Sequence, residues 1–292
     1  MFFGAEASRG SGYVNPYAPP LGGQLFNELR NYSPSICGNL PRKIHKNFEQ
    51  NFENAMKTVF NNSDLVPSLM REMAKYFCIF RPINNSNLYA RLLHDLRRSL
   101  KEIVFSTLNY DLMFEHALQS QGLVAECFLE DTTDITYRKL HGSCNFVLEA
   151  GTWINCNFRG PNAVESNLKA LNADEVINYC NSNDSLSPAM CVYMESKPSQ
   201  FGSGRIKAIQ DRWKKNVLEA KRILIIGVKP YLADKHIWEP LTQTDAKLGY
   251  LGSIDEFNLW VEKYRKNKEN KVIGKRWSEH FEESIAFLAS DE

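Results

Sequence analysis

The chain has 292 residues, of which 43% are hydrophobic and 24% charged, with a formal net charge of +1. That length can bury a sizeable core, and the composition is that of an ordinary globular protein. The near-neutral charge argues against a surface built mainly for nucleic acid, and no apolar run approaches the roughly 20 residues a membrane helix needs.

The seven cysteines are scattered at 37, 78, 127, 144, 156, 180 and 191, and none forms Cys-x-x-Cys. A structural zinc module needs paired ligands on tight turns, so no metal is expected, and dispersed thiols suit a reducing cytosol. The opening Met-Phe-Phe-Gly lacks the basic and apolar segments of a signal peptide.

In chain order, Phe2-Phe3 reads as a very short strand and Gly4 to Gly12 as a flexible glycine-rich loop. A helix then starts near Pro19-Pro20, with Leu21, Leu25, Phe26 and Leu29 on one face. Strand, glycine-rich loop and helix together can cradle a phosphate on backbone N–H groups, because glycine leaves the backbone approachable. From about 31 to 100 the apolar spacing is helical: Phe48, Phe52, Met56, Val59 and Phe60; then Leu65, Leu69, Met73 and Phe77; then Leu88, Leu92, Leu93, Leu96 and Leu100. These stripes predict a helical insert packed on an α/β core, placed to cover a nucleotide pocket.

Ile103-Val104-Phe105 is the pattern of a buried strand, and it runs into Ser106, Thr107, Asn109 and Asp111 before a helix through Leu118. Tyr137 to Leu140 reads as the next strand, delivering His141 and Gly142 to the same edge. Open α/β sheets present functional groups at the carboxyl ends of their strands. Singly, Asn and Asp after a strand serve as turn formers and caps, and a His-Gly pair says little. Their succession at strand ends is what carries weight.

Beyond Ser143, residues 151–164 read as loop or hairpin, 166–181 as a helix and 190–194 as a strand. A long helix follows through Ala208, Trp213, Val217 and Ala220, then the clearest buried strand, Ile223 to Val228. Gly227 is expected to let a ribose or phosphate approach the backbone. Asp234 and His236 come next, either as a helix cap and an ordinary polar residue or as ligand contacts. Tyr250 to Gly252 is a last short strand, Asp255 caps the helix through Phe257, Trp260 and Tyr264, and 265–271 is a solvated turn. Trp277, Phe281, Ile285 and Leu288 mark a final amphipathic helix.

Four motifs together resemble those of the sirtuin superfamily, and within it the sirtuin-like NADases of bacterial antiphage defence. Thr107-Leu108-Asn109-Tyr110-Asp111 resembles the Thr-x-Asn-x-Asp signature, and Leu140-His141-Gly142-Ser143 the catalytic histidine motif. Gly4-Ala5-Glu6-Ala7-Ser8 resembles the Gly-Ala-Gly-x-Ser nucleotide loop, and Leu224-Ile225-Ile226-Gly227-Val228 the later strand that grips the nucleotide. The resemblance implies one α/β domain over 1–292, a Rossmann-like parallel sheet with the helical insert inside it. It implies NAD⁺ as the substrate, with His141 as general base and Asn109 orienting ribose or water. Asp111 would hold the nicotinamide amide, Thr107 and Ser8 would line the pocket, and Gly4, Ala5, Gly227 and Val228 would hold the nucleotide. It further implies a bacterial cytoplasmic protein, as a homo-oligomer or in complex with a sensor such as a helicase-type ATPase.

Glu6 departs from the pattern, placing bulk and negative charge where the family has glycine. Either the loop is shifted, or dinucleotide binding is weakened or lost. The alternative to an NADase is therefore a catalytically impaired nucleotide-binding or scaffold subunit. A protein deacylase is third, because that branch usually carries the zinc module this sequence lacks.

Overall fold

The computed structural model describes residues 1–50, 52–60, 65–83, 85–128, 135–149, 156–157, 163–164, 166–182, 186–191 and 201–289. Most of the expected 151–164 loop, and all but the first two residues of the expected 190–194 strand, lie outside them. Seven strands form one sheet: β1 (Phe2–Phe3), β2 (Val104–Thr107), β3 (Ala125–Glu126), β4 (Ile135–Lys139), β5 (Arg222–Ile226), β6 (Lys247–Leu251) and β7 (Asn270–Gly274). Their order across the sheet is β7-β6-β5-β1-β2-β4-β3, and every pairing is parallel. The fold is α/β and Rossmann-like. Its chain leaves β1 toward β2 on one side and returns to β5 on the other, so β1 borders the switch point where such sheets bind ligands.

The alternation of each strand assigns its residues to two cores. Phe3, Phe105, Tyr137, Leu224, Ile226 and Leu251 face one side; Phe2, Ile223, Ile225, Leu248 and Tyr250 face the other. The first side is covered by helices between β1 and β2, which follow α1 (Ala5–Arg9) as α2 (Gly22–Tyr32), α3 (Arg42–Gln50), α4 (Phe52–Phe60), α5 (Val66–Phe77) and α6 (Leu88–Asp95). To these are added α7 (Met113–Ser120) and α8 (Ala173–Asn181). The second side is covered by α9 (Ser203–Glu219), α10 (Lys235–Gln243) and α11 (Ile254–Tyr264), while α12 (Phe281–Ala289) returns to the first. The two-residue strand β1 is held by its side chains: the Phe3 ring packs on Tyr89, Phe105, Phe114 and Trp277, and the Phe2 ring on Trp213. Burying one such ring stabilises by roughly 1.5–3 kcal/mol.

The expected apolar stripes of the insert are buried as read, with Leu65 only partly covered and the Phe60 side chain outside what the structure describes. Four other expectations are corrected. The stretch after β1 is a short helix, not a flexible loop: Gly4 stands at its N-cap, Ala5, Glu6, Ala7 and Arg9 are good helix formers, and Gly10 N–H closes it on Glu6 O at 2.8 Å. The 166–181 segment is split, since Leu168–Ala170 pairs with Phe146–Leu148 and α8 starts only where Asn172 and Glu175 form a capping box. Ser253, not Asp255, occupies the N-cap position of α11, and Asp255 sits in its first turn. The 265–271 stretch is not a solvated turn throughout. The buried Arg265 guanidinium donates to Leu241 O, Thr244 O and Ala246 O, and Lys268 Nζ to Gln243 O and Thr244 O, which satisfies carbonyls at the end of α10 and in the turn after it. Asn270 then opens β7. Among the described residues, no helix is long and apolar enough to cross a membrane.

Candidate functional site

The parallel register aligns the carboxyl ends of the central strands. Gly4 N–H donates to Ile226 O, Leu108 N–H to Phe3 O, Leu140 N–H to Thr107 O and Gly227 N–H to Leu251 O, at 2.8 to 3.1 Å. Asn109 follows Leu108, and His141 follows Leu140. The sequence motifs therefore leave the sheet along one edge, on either side of the switch point.

Asn109 lies at the centre of a hydrogen-bond network. Its backbone N–H is fixed by Thr107 Oγ1 at 3.0 Å, and its Nδ2 donates to Gly4 O at 3.0 Å and to Ser8 Oγ at 2.9 Å. With both amide hydrogens engaged, Oδ1 is the part of the side chain left for a ligand, as an acceptor. Ser8 Oγ also contacts Tyr89 OH at 3.1 Å and Asp111 Oδ1 at 3.3 Å. Asp111 Oδ1 accepts from Met113 N–H at 3.0 Å, an Asx turn that starts α7 and leaves Oδ2 as the remaining acceptor. Burial raises the Asp111 carboxyl above its ordinary range, although nearby Lys139 and the Met113 N–H pull it back. Tyr89 is pushed well above the usual tyrosine range by burial, so its hydroxyl stays neutral.

Thr107 is buried, and its hydroxyl serves Phe3 O and Asn109 N–H, so it holds Asn109 in place. Below the network, buried Lys139 donates to Asp111 O and Glu115 Oε1, both at 2.6 Å. Burial pulls the Lys139 pKa down, but pairing with Glu115 outweighs it and the net direction is up. A charged lysine thus clamps the loop that carries Asn109 and Asp111.

His141 is buried and its Nε2 lies 3.0 Å from His236 Nε2, on the second residue of α10. The turn that carries His141 needs Gly142: φ is +74°, and a Cβ would stand 2.0 Å from Ala189 O. Cys191 N–H and Ser143 N–H secure the same turn, through His141 O at 2.8 Å and Ala189 O at 3.0 Å.

The glycines expected to approach a nucleotide lie close against each other's chain. A Cβ on Gly4 would stand 2.3 Å from Gly227 O, and one on Gly227, at φ +70°, 2.5 Å from Ala7 N. Gly227 therefore makes room for the first turn of α1. Val228 is buried, its carbonyl accepting from Tyr250 OH at 3.0 Å, while Ala5 and Glu6 are exposed. A cavity of about 320 Å³ opens beside them, with Glu6, Arg9, Gly227, Lys275, Arg276 and Trp277 in its wall. Glu6 faces this groove among three basic side chains, not the Asn109 network. Among the described residues, no group of three or more His, Cys, Asp or Glu is arranged to hold a metal ion.

Sequence reasoning missed Tyr89 and the Lys139–Glu115 pair. Tyr89 sits among the leucines of α6, where its ring reads as core and its hydroxyl is overlooked. Lys139 ends a buried strand, and only the return of α7 across the sheet reveals its partner.

No family model matches this chain, and no curated protein matches it in sequence. Among solved structures, it is similar to Sir2 in complex with the inhibitor EX-527, 2'-O-acetyl-ADP-ribose and deacetylated p53 peptide, at 14% identity and a TM-score of 0.40. That likeness covers 86% of this chain and 79% of that one. A structure on the structural basis of sirtuin substrate affinity is similar at 15% identity and a TM-score of 0.39, covering 86% and 80%.

Proposed function

We propose that the chain is an NAD⁺ glycohydrolase that cleaves the bond between nicotinamide and ribose. The observation that carries the reading is the Asn109 amide, held by Gly4 and Ser8 at the switch point with Oδ1 as its remaining acceptor. Cleavage builds positive charge on the ribose while neutral nicotinamide departs. The protein must hold the two apart in a productive geometry and take a proton from the attacking oxygen. Asn109 Oδ1 orients a ribose hydroxyl or the attacking water. Asp111 Oδ2 accepts from the nicotinamide amide, and Ser8 keeps both side chains in place. His141 takes the proton, an imidazole suiting that role near neutrality.

The motif resemblance supports a setting in bacterial antiphage defence, with NAD⁺ depletion as the output, in the cytoplasm, and as a homo-oligomer or beside a sensor ATPase. It also supports one domain over the whole chain, with no metal required. Glu6 supports the second reading, a nucleotide-binding subunit without turnover, because its carboxylate stands at the groove beside Gly227.

The test is nicotinamide release from NAD⁺ by the purified chain, alone and with candidate partners or an acylated peptide, together with calorimetry of NAD⁺ binding. Release that disappears in His141→Ala supports the glycohydrolase. Binding without release supports the impaired subunit, release only with the peptide supports a deacylase, and neither binding nor release overturns the nucleotide reading altogether.

A further inference from the structure

His236 reaches His141 from the other half of the sheet. His141 follows β4, on one side of β1, while α10 follows β5 on the other. Their Nε2 atoms are 3.0 Å apart, their ring centroids 5.1 Å apart, and their planes cross at 51°. At that distance one N–H lies between the two nitrogens, so one ring donates and the other accepts. The tautomer of either ring then dictates that of the other.

Both rings stand on backbone held in place by hydrogen bonds. The His141 turn is held by Cys191 N–H and by the Gly142 conformation described above. The start of α10 is held by Ile237 N–H and Trp238 N–H on Asp234 O, at 2.9 and 3.0 Å, and buried Trp238 packs against Trp260. A histidine pair that only joined two elements could sit anywhere along them. This pair engages the side chain that, on the glycohydrolase reading, accepts the proton.

We infer that His236 is the positioning residue of His141, fixing the tautomer and ring plane of the base through the Nε2–Nε2 hydrogen bond. The inference rests on the glycohydrolase reading for its catalytic meaning and on the geometry for the pairing itself. With Nε2 in this bond, His141 takes a proton on Nδ1 only in the tautomer that donates from Nε2 to His236; the other tautomer presents N–H where a lone pair is needed. His236 therefore affects turnover through His141 and leaves substrate affinity largely alone.

The experiment uses the full chain labelled with ¹⁵N, as wild type, His236→Ala and His236→Gln. The expected spectrum of the wild type shows a scalar coupling between the two Nε2 nuclei, absent from both variants. The His141 tautomer populations shift in His236→Ala and stay near wild type in His236→Gln, whose amide can still bond the ring. In NAD⁺ turnover, His236→Ala lowers kcat roughly 10- to 100-fold with KM within about twofold, a smaller loss than removal of the base itself. His236→Gln recovers most of that kcat. Absence of the coupling in the wild type, unchanged His141 signals in folded His236→Ala, or an unchanged kcat overturns the inference. A wild type that releases no nicotinamide overturns the glycohydrolase reading instead, and the spectra still decide the pairing.

Discussion

The two sides of β1 meet at one edge but are built differently. On the β2 side the edge consists of side chains: a serine, an asparagine, an aspartate and a tyrosine, joined by hydrogen bonds of 2.9 to 3.3 Å. On the β5 side, apart from His236 on α10, it consists of missing side chains, since Gly4 and Gly227 bring backbone within 2.3 to 2.5 Å of where a Cβ would stand. The first side can lose a functional group and keep its shape. The second cannot gain even a methyl group without moving a helix. Chemistry is thus concentrated in replaceable groups on one side, and the geometry that holds them on the other.

The largest effect expected is on the chemical side. His141→Ala should lower NAD⁺ turnover by about 10²–10⁴-fold, the usual loss of a general base, while its circular dichroism stays that of the wild type. Wild-type turnover would make His141 a structural residue and move the chemistry elsewhere.

Gly227→Ala should act on stability. Left-handed backbone costs a side chain about 1–2 kcal/mol and overpacking about 1–3 more, so a loss near 3 kcal/mol is expected in urea unfolding. A loss below about 0.5 kcal/mol would mean that α1 yields easily and that the contrast between the two sides is false.

Asn109→Ala sharpens the comparison. Turnover should fall by about 10²-fold through lost positioning, with NAD⁺ affinity within a few-fold of wild type by calorimetry. A folded variant that no longer binds NAD⁺ would show that the amide holds the ligand, and not only its reacting atoms.

The smallest effect belongs to the groove. A carboxylate about 4 Å from a phosphate charge costs about 1 kcal/mol in water, and more where solvent is excluded. Glu6→Gly should therefore tighten NAD⁺ binding by about tenfold, which corresponds to roughly 1.4 kcal/mol. Equal affinities would place the diphosphate away from this groove and remove the case for an impaired subunit.

Much of the fold was legible because burial leaves a period in the sequence. Ile223 to Ile226 reads as a strand buried on both faces, and the stripes of the insert read as helices, since each exposes the same spacing to the same core. The helix after β1 was not legible, because Gly4, Gly10 and Gly12 around five helical residues look like a loop until the cap geometry is seen. Arg265 reads as solvated for a related reason: charge predicts solvent, and only the end of α10 with the turn after it supplies the three carbonyls that let a guanidinium be buried.

At the site, the residue types were set by the sequence alone: Asn109, Asp111 and His141 each follow a strand, and a parallel sheet brings strand ends to one edge. Which of their atoms remain available was decided by tertiary structure, because that depends on neighbours distant along the chain. Ser8 and Gly4 take the Asn109 amide hydrogens across more than a hundred residues, and His236 meets the His141 ring across 95. A hydrogen-bonding side chain has few donors and acceptors, and only the folded chain determines which partners reach them first.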